Sequence, residues 1–290
     1  MNIVELQIQA NEIRQSIIDM LYHAKSGHTA GALGMADIMT YLYFKEMKIN
    51  PKKPKISTRD LFFLSNGHTA PILYATLAHR GFFPIDELKT LRKLHSRLQG
   101  HPSVASHNSH DSLPGVENSG GPLGQGVSQA VGCAAELKRS NSKRKVFCFV
   151  GDGELQEGVC WESFMFAHKE QTDNFVVIVD KNDIQIDGNP KDVLAFDNLH
   201  NKFTSFGFKV VDFDGNNMNQ IHHVFEEIKK LSGKPICLLA KTTPGKGVSF
   251  IEGDYHWHGK APNEQERKLA LDELESQRIL LEGKSEVKEK

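Results

Sequence analysis

Two short apolar runs, at 146–150 and 175–179, constrain the fold of this 290-residue chain more than any other feature. Each run has the length and the β-branched or aromatic content of a buried strand, and each ends in a polar loop. Similar runs at 61–64, 208–213 and 235–240 alternate with helix-like segments. Strands that are apolar on nearly every residue are typical of parallel sheets with both faces covered. The sequence therefore predicts an α/β fold, with a mostly parallel sheet and helices on both faces.

Oxygen-bearing side chains follow the first two runs, at the point where each predicted strand ends. Asp152 lies in the sequence GDG after one strand, and Asn182 follows the other. Because ligands gather beyond the carboxyl ends of parallel strands, we expect both side chains at the same edge. A hard cation such as Mg²⁺ takes carboxylate, amide, carbonyl and phosphate oxygens, which fits Asp152, Asn182 and the backbone carbonyl of Ile184. Gly153 would let a ligand approach the backbone closely. The pattern therefore indicates a metal and diphosphate site.

The bulk composition excludes several classes of protein. The chain is 39% hydrophobic and 24% charged with a net charge of −1, so we expect neither nucleic acid nor an acidic membrane surface as a partner. No run approaches the roughly 18 apolar residues of a spanning helix, and residues 1–10 lack a signal-peptide pattern. A cytoplasmic protein is therefore expected. The four cysteines show no CxxC spacing and are predicted to be core thiols.

The order of elements favours a single domain over 1–281, followed by a solvated tail at 282–290. An irregular stretch at 100–121 is too long for a plain connector, and we expect it to lie over the functional site. The glycine-rich turn at 120–126 precedes a helix, where free N–H groups suit an anion or a flat ring. Helices are predicted at 3–24, 35–47, 70–80, 86–94 with Asp86 as cap, 123–138, from near Glu157, 218–231 and 263–281.

Several of the 14 histidines lie beside glycine in turns rather than on helical faces. Glycine lets a ligand approach the backbone, and an imidazole pKa near neutrality suits proton transfer. The candidates for function are His28, His68, His101 and His258. Histidines in or beside predicted helices are interpreted as structural, namely His23, His79, His95, His168 and His200.

Taken together, the motifs resemble a known family. The segments SGHTAGALGMAD, SNGHTAPILYA, GHPS, PGVENSGGPLGQG, GDGELQEGVCWES, KNDIQIDG and HGKAPN are similar, in family order, to the N-terminal half of transketolase. That half has the thiamine-diphosphate-binding (pyrophosphate-domain) fold. The chain departs from the family pattern at two points. The metal signature ends in Lys181-Asn182 rather than Asn-Asn, and GHPE reads GHPS, so the contacts around the donor are expected to differ.

The resemblance implies a role for each candidate residue. Asp152, Asn182 and the Ile184 carbonyl would bind Mg²⁺, for which Ca²⁺ or Mn²⁺ could substitute. The substrate channel would be lined by the catalytic residues His28, His101 and His258. The cofactor-binding residues would be His68, Gly153, Asn182 and His258 near the diphosphate, Gly121, Leu123 and Ile186 near the rings, and Glu157, which links the two cofactor sites of the dimer.

The resemblance also implies a reaction and a partner. Transketolases transfer a two-carbon ketol unit from a ketose to an aldose, through a carbanion that the thiazolium ring of thiamine diphosphate stabilises. A full transketolase is more than twice as long as this chain, and its second domain supplies the glutamate that meets the aminopyrimidine. We therefore expect the N-terminal subunit of a split enzyme, inactive alone and completed by a C-terminal subunit with the pyrimidine-binding domain, in an α2β2 assembly. Pentose-phosphate intermediates are the family default, and sulfonated or other modified sugars are alternatives.

Two other functions remain open at this point. The α subunit of a 2-oxoacid dehydrogenase shares the GDG to Asn pattern, although the SGH, GHP and GPLGQG motifs argue against it. A cofactor-binding or regulatory protein without catalysis would also fit, because the carboxylate that activates the cofactor is not expected in this chain.

Overall fold

The protein was analysed as a computed structural model that describes residues 1–104, 112–195 and 198–288, with side chains to 284. The described chain contains a five-stranded sheet in the order β1-β2-β3-β5-β4, and every neighbouring pair is parallel. This confirms the predicted sheet. The strands are β1 Leu61–Leu64, β2 Val146–Gly151, β3 Phe175–Lys181, β4 Lys209–Asp214 and β5 Ile236–Lys241.

Helices cover both faces of the sheet, as predicted. They are α1 Ile3–Ala24, α2 Ala30–Gly34, α3 Ala36–Tyr41, α4 Ala70–Arg80, α5 Gln125–Arg139, α6 Gly158–Lys169, α7 Pro190–Val193, α8 Leu199–Ser205, α9 Met218–Ile228 and α10 Glu264–Lys288. Short 3₁₀ segments lie at Gly67–Thr69, Ile85–Thr90, Gly153–Gln156 and Tyr255–Trp257, and a π-helical turn lies at Leu42–Glu46. Within the described ranges, no helix is long and apolar enough to cross a membrane.

Alternate residues of the central strands feed two separate apolar cores. Phe147 and Phe149 of β2 pack in the core that also contains α1, α3, α4, α9 and α10. Cys148 and Val150 point the other way, into the core formed with α5, α6 and α8. The two-residue period of a strand thus explains why these runs are apolar throughout. All four cysteines are free thiols, and Cys133 is the one of them that is not fully buried.

Strand register brings the carboxyl ends of the central strands to one edge. Gly151 of β2 pairs with Asp180 of β3, and Asp180 pairs with Ala240 of β5. Asp180 therefore lies between the residues that end the two flanking strands: the N–H of Asp152 donates to its carbonyl at 3.2 Å, and Thr242 Oγ1 donates to its carboxylate at 2.5 Å. Strand β4 was predicted to be buried on both faces like the others. It lies at an edge of the sheet, pairs on one side only and leaves several side chains partly exposed.

Three helix predictions need correction. The segment predicted as a helix at 86–94 forms only a short 3₁₀ segment after Pro84, because Leu88 is its one buried residue and Asp86 makes no capping bond. The helix predicted at 35–47 breaks into α3 and the π-helical turn. Helix α10 continues to Lys288 rather than ending at 281, since no proline interrupts the segment. The division into a domain and a tail stays a prediction, and residues 105–111 of the predicted overlying loop lie outside the described residues.

Candidate functional site

A cavity of ≈ 390 Å³ opens at the carboxyl edge of the sheet. Its walls come from the loops after β1, β2 and β3, from the turn before α5, and from the segments that contain His28 and His258. Every residue that the sequence predicted for a site lines it, which brings together His28, His68, His101, Gly121, Leu123, Asp152, Gly153, Glu157, Asn182, Ile184, Ile186 and His258. The individual roles of these residues remain predictions.

Asp152 lies directly after β2 and is only 2% exposed. Its carboxylate accepts hydrogen bonds from the backbone N–H groups of Gly153, at 2.7 Å, and Asp183, at 2.8 Å. The second bond joins the loop after β2 to the loop after β3. Because a carboxylate has about four lone-pair positions, Asp152 can bind a cation while it keeps both bonds.

Asp180 is buried beside Asp152 and was not predicted, although it ends an apolar strand at the same edge as Asn182. It accepts hydrogen bonds from Asn182 Nδ2, at 2.8 Å, and from Thr242 Oγ1, at 2.5 Å. The amide oxygen of Asn182 in turn accepts from the N–H of Ile184 at 3.0 Å. This chain of bonds fixes the Asn182 side chain and the Ile184 backbone at the acidic edge.

Burial raises the pKa of Asp152 to about 7, with the charge of Asp180 as the second cause. Burial likewise raises the pKa of Asp180 to about 6. Two negative charges at this edge are therefore costly unless a cation lies beside them. The oxygens of Asp152, Asn182 and Ile184 are of the types that a hard cation prefers, so the residues fit Mg²⁺. Within the described ranges no group of three or more His, Cys, Asp or Glu could hold a metal, so the fit rests on this mixed set.

Three of the glycine-flanked histidines form one cluster. The ring centroid of His28 lies 4.9 Å from that of His68 and 5.5 Å from that of His258, and the last two are 5.2 Å apart. Thr29 Oγ1 donates to the carbonyl of Lys260 at 2.5 Å, which ties the loop of His28 to the loop of His258. The buried Nδ1 of His28 has no hydrogen-bond partner in the described part of the chain.

Burial lowers the pKa of each histidine in the cavity, because it disfavours the imidazolium form. The pKa of His28 falls to about 4 and that of His68 to about 3, and the neighbouring imidazoles add to both shifts. The charge of Arg92 contributes to the lowered pKa values of His28 and His101. At neutral pH these rings are uncharged, and each offers one donor and one acceptor nitrogen.

The backbones of two glycine-containing loops cross beside the cluster. A Cβ atom on Gly67 would lie 3.0 Å from the Cα of Gly120, and one on Gly120 would lie 3.1 Å from the Cα of Gly67. Glycine is required for such an approach. The N–H of Gly120 also donates to the Pro102 carbonyl at 2.8 Å. The crossing thus holds the loops of His68 and His101 against each other.

The buried carboxylate of Glu154, which was not predicted from the sequence, lies against the residues that precede α5. Glu154 accepts hydrogen bonds from Ser65 Oγ at 2.6 Å, the Gly124 N–H at 2.7 Å and the Gly151 N–H at 3.2 Å. The turn at 120–126 is predicted to suit an anion or a flat ring. In the structure, Glu154 already satisfies the N–H of Gly124, so an internal anion takes that position.

The remaining predicted residues lie at the rim of the cavity. Ile186 is 70% exposed on the loop after β3, Glu157 is exposed at the N-cap of α6, and Leu123 is half-buried before α5. None of the histidines interpreted as structural lines this described cavity. His79, for example, contacts Gln9 and Ser16 at 3.0 and 2.8 Å.

Comparison with known proteins decides the family. The family described as "Transketolase, thiamine diphosphate binding domain" matches residues 6–277. The chain belongs to this family. It is 40% identical over 274 residues to an apulose-4-phosphate transketolase subunit of Actinobacillus succinogenes, a match that covers 94% of this chain and 97% of that protein. It is 36% identical over 274 residues to a 6-deoxy-6-sulfo-D-fructose transketolase subunit of Clostridium sp., with coverage of 94% and 98%.

Solved structures agree with this family. The transketolase of Campylobacter jejuni superposes with a TM-score of 0.87 at 35% identity, over 97% of this chain and 46% of that chain. The chain thus spans about half the length of that protein chain. These matches confirm the α/β fold and the predicted resemblance to the N-terminal subunit of a split transketolase. Because its near full-length relatives are named transketolase subunits, the expectation of a transferase subunit is confirmed, and the 2-oxoacid dehydrogenase alternative loses its support.

Proposed function

We propose that the chain is the cofactor-binding subunit of a two-chain transketolase that transfers a two-carbon ketol unit between sugars. One observation carries the proposal. The predicted metal, cofactor and channel residues, which come from seven separated segments of the sequence, line one cavity beside a cluster of uncharged histidines. A protein that only binds the cofactor would not require the channel histidines His28 and His101.

We assign the metal and cofactor contacts as follows. Asp152, Asn182 and the Ile184 carbonyl hold Mg²⁺, which offsets the buried charge at the sheet edge. His68, Gly153 and His258, which all line the cavity, bind the diphosphate. Gly121, Leu123 and Ile186 flank the rings. When bound, thiamine diphosphate supplies the electron sink for the two-carbon unit.

The channel histidines manage protons on the sugar oxygens. His28, His101 and His258 are uncharged near neutrality, so each can donate one hydrogen bond and accept another. His28 and His258 are assigned to the oxygens of the donor at the reacting carbons, and His101 to a neighbouring hydroxyl. Their lowered pKa values favour the uncharged form, which limits repulsion between neighbouring rings.

The partner and the substrate are further parts of the proposal. Relatives that match along nearly their whole length are named as one subunit of a transketolase. We infer a C-terminal partner with the pyrimidine-binding domain and its glutamate, in an α2β2 assembly in which Glu157 links two cofactor sites. The names of those relatives favour a phosphorylated or sulfonated sugar. A role in the pentose phosphate pathway and a cytoplasmic location remain predictions.

Reconstitution tests the proposal. The chain is mixed with a candidate C-terminal subunit, thiamine diphosphate and Mg²⁺, and ketol transfer is measured on phosphorylated and sulfonated ketoses. Activity should require both chains. Asp152→Ala should abolish metal-dependent cofactor binding in calorimetry, because a methyl group cannot bind the cation. Asp187→Ala, which removes an exposed carboxylate from the same cavity, is the matched control and should retain binding.

The alternatives give different results. Binding of cofactor and partner without turnover on any sugar of the panel would favour a regulatory protein. Unchanged cofactor affinity in Asp152→Ala would contradict the metal site itself.

A further inference from the structure

A cavity of ≈ 500 Å³ opens at the amino edge of the sheet, where β1 and β2 begin. Its walls are the loop that precedes β1 and the turn between α5 and β2. The residues of β2 span about 20 Å, so this cavity lies at the opposite edge from the candidate active site. Among the described residues that line it, none is acidic and four are cationic, namely Lys48, Arg59, Lys143 and Arg144.

A buried carboxylate joins the two walls of this cavity. Asp60 is 3% exposed and accepts hydrogen bonds from the backbone N–H groups of Lys48 and Lys145, both at 2.8 Å. The N–H of Asp60 donates to the Lys48 carbonyl at 3.0 Å, and Arg144 Nε donates to the Arg59 carbonyl at 2.5 Å. Because these bonds involve the backbone of both walls, the fold itself fixes the shape of the cavity.

Three of the four cations have no ion-pair partner in the part of the chain that the structure describes. Arg59 is the exception, because its guanidinium binds Glu117. Arg144 uses its Nε on a backbone carbonyl, which leaves its terminal nitrogens available. The hydroxyl groups of Ser57 and Thr58 line the same cavity and can also donate hydrogen bonds. The cavity therefore presents positive charge and donors that no carboxylate of its lining offsets.

Phosphate is the ligand group that fits this lining. Ammonium and guanidinium groups form short, charge-assisted hydrogen bonds to phosphate oxygens. The cavity has the volume of a small-molecule site, whereas a nucleic acid is bound by a longer basic surface. Ile56 is 39% exposed and lines the same cavity, so an apolar surface is available to the organic part of a ligand.

We propose that this cavity is a second ligand site, which binds a small phosphorylated molecule through Lys48, Lys143 and Arg144. The organic part of the ligand lies against Ile56. Because the site is at the amino edge, its ligand does not compete with the cofactor or the sugar. A ligand that binds only the folded chain stabilises it, so occupancy of the site raises the melting temperature.

Titration of the full-length chain tests the proposal without cofactor, sugar or partner subunit. Inorganic phosphate and adenosine monophosphate are added at constant ionic strength, with sodium chloride as the reference and adenosine as the uncharged control. The backbone amide signals of Thr58 and Lys143 are followed by NMR. Both signals should shift and saturate with the two phosphate compounds and stay unchanged with adenosine. Tighter binding of adenosine monophosphate than of phosphate would show that the organic part contributes.

Three variants locate the binding. Lys143→Gln and Lys48→Gln, followed at the Thr58 amide, should each weaken phosphate binding about tenfold, as expected for loss of a charge-assisted contact. Lys234→Gln removes an exposed lysine before β5, at the same edge of the sheet but outside the cavity, and should change nothing. All three positions are exposed, and thermal melting without ligand verifies that the variants fold.

The same measurements can overturn the proposal. Absence of a saturable shift, or equal phosphate affinity in wild type and Lys143→Gln, would eliminate the site. Binding of a thymidine oligonucleotide about 100-fold tighter than adenosine monophosphate would assign this face to a nucleic acid instead of a small molecule. None of these results depends on ketol transfer, so the cavity is tested independently of the proposed function.

Discussion

Glu154 accepts a 2.6 Å hydrogen bond from Ser65 across 89 positions of sequence, and both groups are buried at the base of the cavity. The same carboxylate accepts N–H groups from Gly124 and Gly151. One side chain therefore joins the loop after β1, the end of β2 and the start of α5. The three-way connection fixes the wall on which the predicted cofactor contacts lie.

Replacing Glu154 should destabilise the fold. Glu154→Ala leaves three buried donors without an acceptor, and we expect a loss of about 3 kcal/mol in the free energy of unfolding. Urea denaturation measures it. Glu162→Ala removes an exposed carboxylate from α6 and should stay within about 0.5 kcal/mol of wild type. Equal stability of Glu154→Ala and wild type would show that the connection contributes nothing.

The acidic edge could be predicted, whereas the Glu154 connection could not. Asp152 and Asn182 follow apolar strands, so their convergence depends on a local pattern and one rule about parallel sheets. Glu154 follows the same motif but in sequence resembles an exposed turn residue, and its partner Ser65 is distant along the chain. The short helix predicted at 86–94 failed for a related reason, because a single buried leucine cannot sustain an amphipathic helix.

The pH dependence of stability should reveal the acidic edge. The pKa of Asp152 is raised to about 7 from 3.8, so the folded protein binds more protons, and stability without metal falls as pH rises from about 4 to 7. The lowered pKa values of His28 and His68 act in the opposite direction, since unfolding exposes rings that bind protons below about pH 6.5. The contribution of Asp152 to stability must therefore be obtained as the difference between a variant and wild type.

The Asp152→Asn variant isolates the contribution of this carboxylate to the pH dependence of stability. The unfolding free energy of the variant minus that of wild type, measured without metal, should increase from pH 4 to pH 7 by on the order of 3 kcal/mol. Asp187→Asn removes an exposed carboxylate of the same cavity and should give a flat difference. A flat difference for Asp152→Asn as well would mean that this carboxylate ionises freely. Saturating Mg²⁺ with thiamine diphosphate should make ionised Asp152 stabilising and reverse the trend.

The close approach of the Gly67 and Gly120 backbones gives a prediction for which another glycine of the chain serves as control. Gly67→Ala places a Cβ 3.0 Å from the Gly120 backbone, so the loops must separate. We expect a loss of about 1–3 kcal/mol in stability and weaker cofactor binding, since overpacking shifts the backbone that carries His68. Gly132→Ala lies at an exposed position of α5 with no atom within 4 Å of the added Cβ. It should instead stabilise by about 0.5–1 kcal/mol. Similar effects of both variants on cofactor affinity would contradict the crossing.

His28 provides the last prediction, because it separates cofactor binding from catalysis. In His28→Ala, cofactor affinity measured by calorimetry should stay within about twofold of wild type, because the proposed metal ligands Asp152 and Asn182 are unchanged. Ketol transfer by the reconstituted complex should slow about 10²- to 10⁴-fold, the usual effect of removing a positioned proton donor or acceptor. His23→Ala, at the end of α1 and outside the cavity, should leave both quantities unchanged. If His28→Ala instead weakened cofactor binding and left the rate intact, this histidine would belong to the diphosphate contacts and not to the sugar.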